Sequence, residues 1–158
     1  MGRTIHDLEA YLAASSRTFE AKDDGTLLVA TRGQNLPPIY VRLSEGDDGS
    51  QPVLFSVNVG KAPSGTEEQA KLFRRLLELN GSDLLYGAYA LRGDEIVLSS
   101  AAELDNLDLN EVQAILSDLD LALSTHLEEL FALAGRPSAV PSPPAASTPP
   151  TSSPAGAL

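Results

Sequence analysis

Few residues in this chain of 158 could do chemistry: it has two histidines, His6 and His126, and no cysteine. Thiolate metal sites, disulfides and Cys nucleophiles are therefore excluded. Ser124 and His126 stand at i, i+2, a spacing that does not bring two side chains together on a helix. His126 and Glu129 stand at i, i+3, which places two metal ligands on one helix face, but no third ligand follows at a metal-site spacing. A structural histidine is the expectation. Asp105 and Asp108 are the nearest thing to a catalytic carboxylate pair, and Asp108 reads better as a helix cap.

Other motifs also resolve into structure. Asp23-Asp24-Gly25 and Asp47-Asp48-Gly49 lack the alternating oxygen ligands and distal Glu of a calcium loop, and read as solvated turns. Gly60-Lys61-Ala62-Pro63-Ser64-Gly65-Thr66 lies between a strand and a helix, as a phosphate loop would. Its Lys precedes the second Gly, however, and Glu67 and Glu68 would repel an anion at the helix start. Arg92-Gly93-Asp94 reads as a tight turn, and Asn80-Gly81-Ser82 is a lone tripeptide. No catalytic, metal or cofactor-binding residues are expected.

Charge narrows the partners. Asp and Glu number 22 against 11 Lys and Arg, a net charge of −11. This opposes a grip on phosphate backbones, which needs a basic face, and opposes an anionic membrane surface. No apolar run approaches a membrane span and no charged-then-apolar leader opens the chain, so a cytoplasmic protein is expected. Residues 93–135 hold ten acids (Asp94, Glu95, Glu103, Asp105, Asp108, Glu111, Asp118, Asp120, Glu128 and Glu129) and no Lys or Arg. These form either a solvated helix face or a surface that steers a basic protein partner.

The elements that position these residues follow from periodicity. Thr4 with Asp7 starts a first helix carrying Ile5, Leu8 and Leu12 and ending near Ala14. A short extended piece over 18–21 precedes three strands with period-two alternation, over 26–32, 39–43 and 53–59. In the last, Val53, Phe55, Val57 and Val59 point one way and Leu54, Ser56 and Asn58 the other; one buried and one wet face means an antiparallel sheet. Tyr40, Arg42 and Leu54 fall on the wet face as candidate partner-docking residues.

A capping box at Thr66 and Gln69 opens a second helix to Asn80, striped by Leu72, Phe73, Leu76 and Leu77, with Gly81 as its left-handed stop. Residues 84–91 are apolar on both faces and predict a strand covered on both sides, by the chain's own helices or by a second subunit. Small Gly87, Ala88 and Ala90 permit the close approach. After the turn at Gly93, a strand over 95–104 precedes the last helix. Asp108 and Glu111 cap that helix, Leu107 can staple against Val112, and a stripe from Val112 to Leu130 runs to about Ala134. The order α-β-β-β-α-β-β-α, with a fourth strand possible in the first set, is an α+β domain with helices packed on an antiparallel sheet.

The domain occupies residues 1–135. Residues 136–158 form a tail rich in Pro, Ser, Thr and Ala, with seven of the eleven prolines, expected to be disordered.

Leu76-Leu77-Glu78-Leu79-Asn80, the segment 84–91, Ile96-Val97-Leu98 and the Asp108-capped helix together resemble the YbjN-like proteins, which in turn look like class I type III secretion chaperones. The resemblance covers residues 4–134. It implies a homodimer without enzymatic activity that holds a segment of another protein, and for YbjN-like proteins a link to bacterial stress responses. It places the dimer contact on the second helix and the strand after it, with Leu72, Phe73, Leu76, Tyr86, Ala88 and Tyr89 as candidate interface residues. A non-enzymatic chaperone-like adaptor is the expected function, binding a partner protein for which a basic, nucleic-acid-binding or stress-response protein is the candidate, without itself binding nucleic acid or membrane. A small-molecule-sensing regulatory domain, with its pocket between sheet and helices, is the alternative.

Overall fold

The computed structural model describes residues 2–135; the expected tail lies outside the described residues. Helix α1 (Ile5–Ala14) begins with the reciprocal Thr4–Asp7 capping box, in which the Thr4 N–H donates to Asp7 Oδ2 at 2.6 Å. Strands β1 (Phe19–Ala21), β2 (Leu27–Val29), β3 (Ile39–Leu43) and β4 (Pro52–Lys61) follow, then α2 (Thr66–Ser82). The extended piece before Asp23 is thus a fourth strand in the first set. At three residues it is too short to carry a period of its own.

Strands β5 (Ala88–Arg92) and β6 (Glu95–Glu103), a 3-10 turn at Leu104–Asn106, and α3 (Leu109–Leu133) complete the chain. All six strands pair antiparallel in the order β1-β2-β3-β4-β6-β5.

Period two does its work in β4: Val53, Phe55, Val57 and Val59 are all buried. A bulge between Asn58 and Gly60 leaves Val59 unpaired yet still turned into the core. All three helices lie on that face. Leu8 and Leu12 of α1, Leu72, Leu76 and Leu79 of α2, and the α3 stripe from Val112 to Leu130 meet the sheet in one cluster. The 25 residues of α3 span about 37 Å, enough to cross the sheet from edge to edge. Its start is as expected: the Glu111 N–H donates to Asp108 Oδ1 at 2.9 Å, and Glu111 Oε2 accepts from the Asp108 N–H at 3.1 Å.

Three local expectations are corrected. Helix α2 is capped by Gly65, not Thr66, and Gln69 donates to the Pro63 carbonyl at 2.7 Å instead of closing a box. Gly81 lies inside the helix, which runs on to Ser82 and stops at Asp83, so no left-handed glycine ends it. The strand expected over 84–91 starts only at Ala88, and it is an edge strand. Its Tyr89 is buried while Ala88, Ala90 and Leu91 are exposed, so the chain's own helices cover one face and not both. Among the described residues no helix is long and apolar enough to cross a membrane.

Candidate partner-binding surface

Among the described residues no helix covers the sheet face turned away from the core, on which Val97 is buried and the rest is half-buried or exposed. Tyr40 and Arg42 of β3 stand opposite Ser56 and Leu54 of β4, and those stand opposite Ser99 and Ala101 of β6. Ala88 of β5 continues the row beside Ser99. Alternation thus brings Tyr40, Arg42 and Leu54 together, as expected: Tyr40 is 43% exposed, Arg42 is exposed and Leu54 half-buried.

Between them runs a floor of small side chains, Ser56, Ser99, Ala88 and Ala101. Two adjoining hollows open on it, and both are lined by Arg42 and by Arg92 at the end of β5. Arg92 was read as part of a turn. Its parity with Ala88 was legible in the sequence, but its place beside the same hollows as Arg42 depends on the strand order.

The segment entering β5 is organised by one carboxylate. Asp118 of α3 accepts the backbone N–H groups of Tyr86 and Gly87, both at 2.9 Å, and of Leu85 at 3.3 Å. Gly87 has to be small here, since a Cβ would lie 2.9 Å from Leu119 Cδ2. The close approach it permits is that of the chain's own α3. Ser100 Oγ donates to the Tyr86 carbonyl at 2.8 Å and ties the segment to β6. The result is a projecting apolar pair, Leu85 at 86% exposure and Tyr86 at 53%. Leu121 of α3 and Leu77 of α2 are also exposed.

Of the residues expected at a subunit contact, Leu72, Leu76 and Tyr89 are buried inside this subunit, and Phe73 packs against its core. Tyr86 and Ala88 remain on the surface. The resemblance named this set by element, and burial within the subunit divides it into core and surface residues.

His126 is structural, and more deeply so than a surface reading suggested: it is 3% exposed. Its Nε2 lies 3.1 Å from Asp83 Oδ2, and the Tyr89 hydroxyl lies 3.1 Å from its Nδ1. Hydrogen bonds from Ser82 first, and then from His126, hold the Asp83 carboxyl below its ordinary range. Burial first, then the nearby Asp118 and Asp83 charges, push the Tyr89 phenol up. Glu129, the other half of the possible metal pair, instead holds Arg75 of α2, with Arg75 Nε donating to Oε1 at 2.7 Å. Among the described residues no cluster of three or more candidate ligands could hold a metal.

Several of the ten acids in 93–135 likewise have partners in the chain. Asp120 is buried against Arg17 at 2.5 Å and accepts the Arg32 N–H at 3.0 Å. Asp105 accepts from the Arg3 N–H at 3.3 Å. At Gly65, Glu68 folds back over the start of α2 and fills the space where a phosphate would dock. The Asp-Gly turns are Asx turns: Asp24 accepts from the Thr26 N–H and Asp48 from the Ser50 N–H, and both carboxyls are lowered, Asp24 first by the Thr26 N–H and Asp48 first by the Ser50 hydroxyl and then by its N–H.

Known proteins share this architecture. A chain of the heterodimeric complex ExoU–SpcU, from the type III secretion system of Pseudomonas aeruginosa, superposes with a TM-score of 0.58 at 22% identity. The alignment covers 80% of this chain and 97% of that one. YbjN from E. coli superposes with a TM-score of 0.58 at 17% identity, covering 82% of this chain and 92% of that one. Among curated proteins no significant match exists. At these identities the two structures establish a shared fold, that of YbjN and of a type III secretion protein. The CesT_Tir_1 profile matches residues 1–136, nearly the whole described domain, and the chain belongs to that family, the type III secretion chaperones.

Proposed function

We propose that this protein is a non-enzymatic, chaperone-like adaptor that holds a segment of a partner protein against the open face of its sheet. The observation that carries the reading is the row Tyr40, Arg42 and Leu54, continued by Ala88 and Ala101, which nothing among the described residues covers, on a sheet whose other face packs against all three helices. Such a face leaves apolar surface in water that a bound chain would remove, at about 25 cal/mol per Å². Membership of a chaperone family supports the same role.

A homodimer fits this reading, with the contact on exposed Leu85 and Tyr86, and with Ala88 left to the docking face. The charge of −11 favours a partner that is basic overall, because long-range attraction speeds encounter even where the contact itself is apolar.

The test is affinity capture from the native cell with the full chain and with a Tyr40→Asp/Leu54→Asp variant, read by mass spectrometry. One or more proteins retained by the wild type and lost by the folded variant are expected. Recovery of nucleic acid or small metabolites alone, with no protein, would overturn the adaptor.

A further inference from the structure

The arginines on the sheet face differ from the other arginines of the domain. Arg3 and Arg32 donate to backbone carbonyls, Arg17 is buried on Asp120, and Arg74 and Arg75 pair with Glu78 and Glu129. Among the described residues, Arg42 and Arg92 are the two whose guanidinium groups make no hydrogen bond or ion pair, in a chain with 22 acids to draw on. Both line the hollow over β4, β6 and β5. That hollow also offers the side chains of Ser56 and Ser99 and is lined by no carboxylate, whereas the adjoining hollow on the same two arginines is lined by Glu95. The nearest acids are at its margins. Glu95 faces Arg92 across the hairpin, and Asp24 feels Arg42 only as a minor influence beside its bond to Thr26.

Two unpaired guanidiniums over a floor of hydroxyls make a carboxylate site, since planar N–H forks match a carboxylate in geometry and charge. Leu54 and Ala101 stand in the cross-strand row of Arg42, and Tyr40 and Ala88 end the next row, which lies between Arg42 and Arg92. A polyanion is a poor occupant, because the net charge of −11 repels a second and third phosphate. One carboxylate set among apolar neighbours meets no such barrier. An extended chain, whose side chains alternate, would present it that way.

We propose that the sheet face takes an extended acidic peptide segment, with one Asp or Glu carboxylate held between Arg42 and Arg92 and apolar side chains beside it on Tyr40, Leu54 and Ala88. This rests on the partner-binding reading and adds the chemistry of the bound segment. A partner basic overall accommodates it, because the carboxylate is a local feature of the docking stretch.

The experiment is selection of a random 12-residue phage-displayed library on the full-length protein and on an Arg42→Gln/Arg92→Gln variant. Both side chains are exposed, and matching thermal melts confirm that the variant folds. Peptides enriched in Asp or Glu flanked by apolar residues are expected on the wild type, with the acid bias gone on the variant. The best peptide, labelled with fluorescein, should bind the variant about tenfold more weakly by anisotropy. An Arg42→Glu/Arg92→Glu variant should reverse the bias toward Lys and Arg.

Enrichment without acids, or an acid bias that survives on the Gln variant, overturns the clamp and leaves segment binding standing. Enrichment of no peptide at all overturns both readings. Binding of a labelled uridine oligonucleotide by the wild type but not the variant overturns the proposal in favour of a polyanion.

Discussion

Tyr89, His126 and Asp83 carry two hydrogen bonds from the buried face of β5 out to the surface at the end of α2. Because the Asp83 carboxyl is held ionised, it must accept, so Nε2 of His126 carries the proton toward it. Nδ1 then shares its hydrogen bond with the Tyr89 hydroxyl. Every buried polar atom in this set has a partner, which is how a histidine can sit so deep in an apolar cluster.

The sign of the pH effect follows. Tyr89 ionises at higher pH when folded than when unfolded, so its contribution is fully present below the unfolded phenol pKa of about 10. It is lost as pH rises from there toward the higher folded value. Tyr89→Phe should be less stable than wild type at neutral pH by about 1–3 kcal/mol, because the buried His126 Nδ1 loses its hydrogen-bond partner. The gap should narrow above pH about 10, where only the wild type suffers the phenol's ionisation. Urea unfolding of both proteins at pH 7 and pH 10.5 reads the difference, and parallel pH profiles would show the phenol to be uninvolved. None of this was legible in the sequence beyond a histidine on a helix. Tyr89 lies 37 positions from His126 and Asp83 lies 43, and separations of that size leave no local signal. Asp120 went unrecognised for the same reason: its cation, Arg17, lies 103 positions away.

At the scale of elements, what was legible is what is local. The Thr4–Asp7 and Asp108–Glu111 boxes satisfy helix ends with residues three apart, and the alternation in β3 and β4 sorts core from surface without reference to anything distant. The edge of the sheet was not legible. Tyr89 of β5 turns its backbone N–H and C=O away from β6, and Asn80 at the end of α2 meets both. The Tyr89 N–H donates to Asn80 Oδ1 at 2.7 Å and Asn80 Nδ2 donates to the Tyr89 carbonyl at 3.0 Å. An amide side chain thus does for this edge what a neighbouring strand would do, and blocks pairing by another chain at that point. The Leu-Asn ending of α2, on which part of the family resemblance rests, has this physical content. It also explains why α2 runs past Asn80: the residue is needed inside the helix, aimed at β5, and cannot serve as its stop. Asn80→Ala removes both bonds, and should lower stability by about 1–3 kcal/mol in urea unfolding. With the edge uncovered, the variant should also aggregate faster on heating, as light scattering would report. An unchanged midpoint and unchanged scattering would mean that the amide contributes nothing to the edge.

For the whole molecule, the question is which apolar surface the proposed dimer would use. The second helix and the strand after it resolve into two sets. Leu72, Leu76 and Tyr89 belong to the core, where replacing a buried Leu by an acid would place an unpaired carboxylate among aliphatic side chains. Leu85, Tyr86 and Leu121 stand in solvent, with the first two held rigidly outward by the three backbone bonds to Asp118. Holding a leucine at 86% exposure on an ordered segment gains nothing for an isolated subunit, whereas covering it in a contact returns about 1.5–3 kcal/mol per large side chain. The two sets therefore respond differently. Leu85→Asp/Tyr86→Asp should give soluble, folded protein of half the wild-type mass by light scattering, with a far-ultraviolet circular dichroism spectrum like that of the wild type. Leu72→Asp should give insoluble or unfolded protein and say nothing about association. A wild type that scatters as a monomer at high concentration removes the dimer altogether. A double variant that remains dimeric moves the contact off the Asp118-bound segment and onto another exposed face.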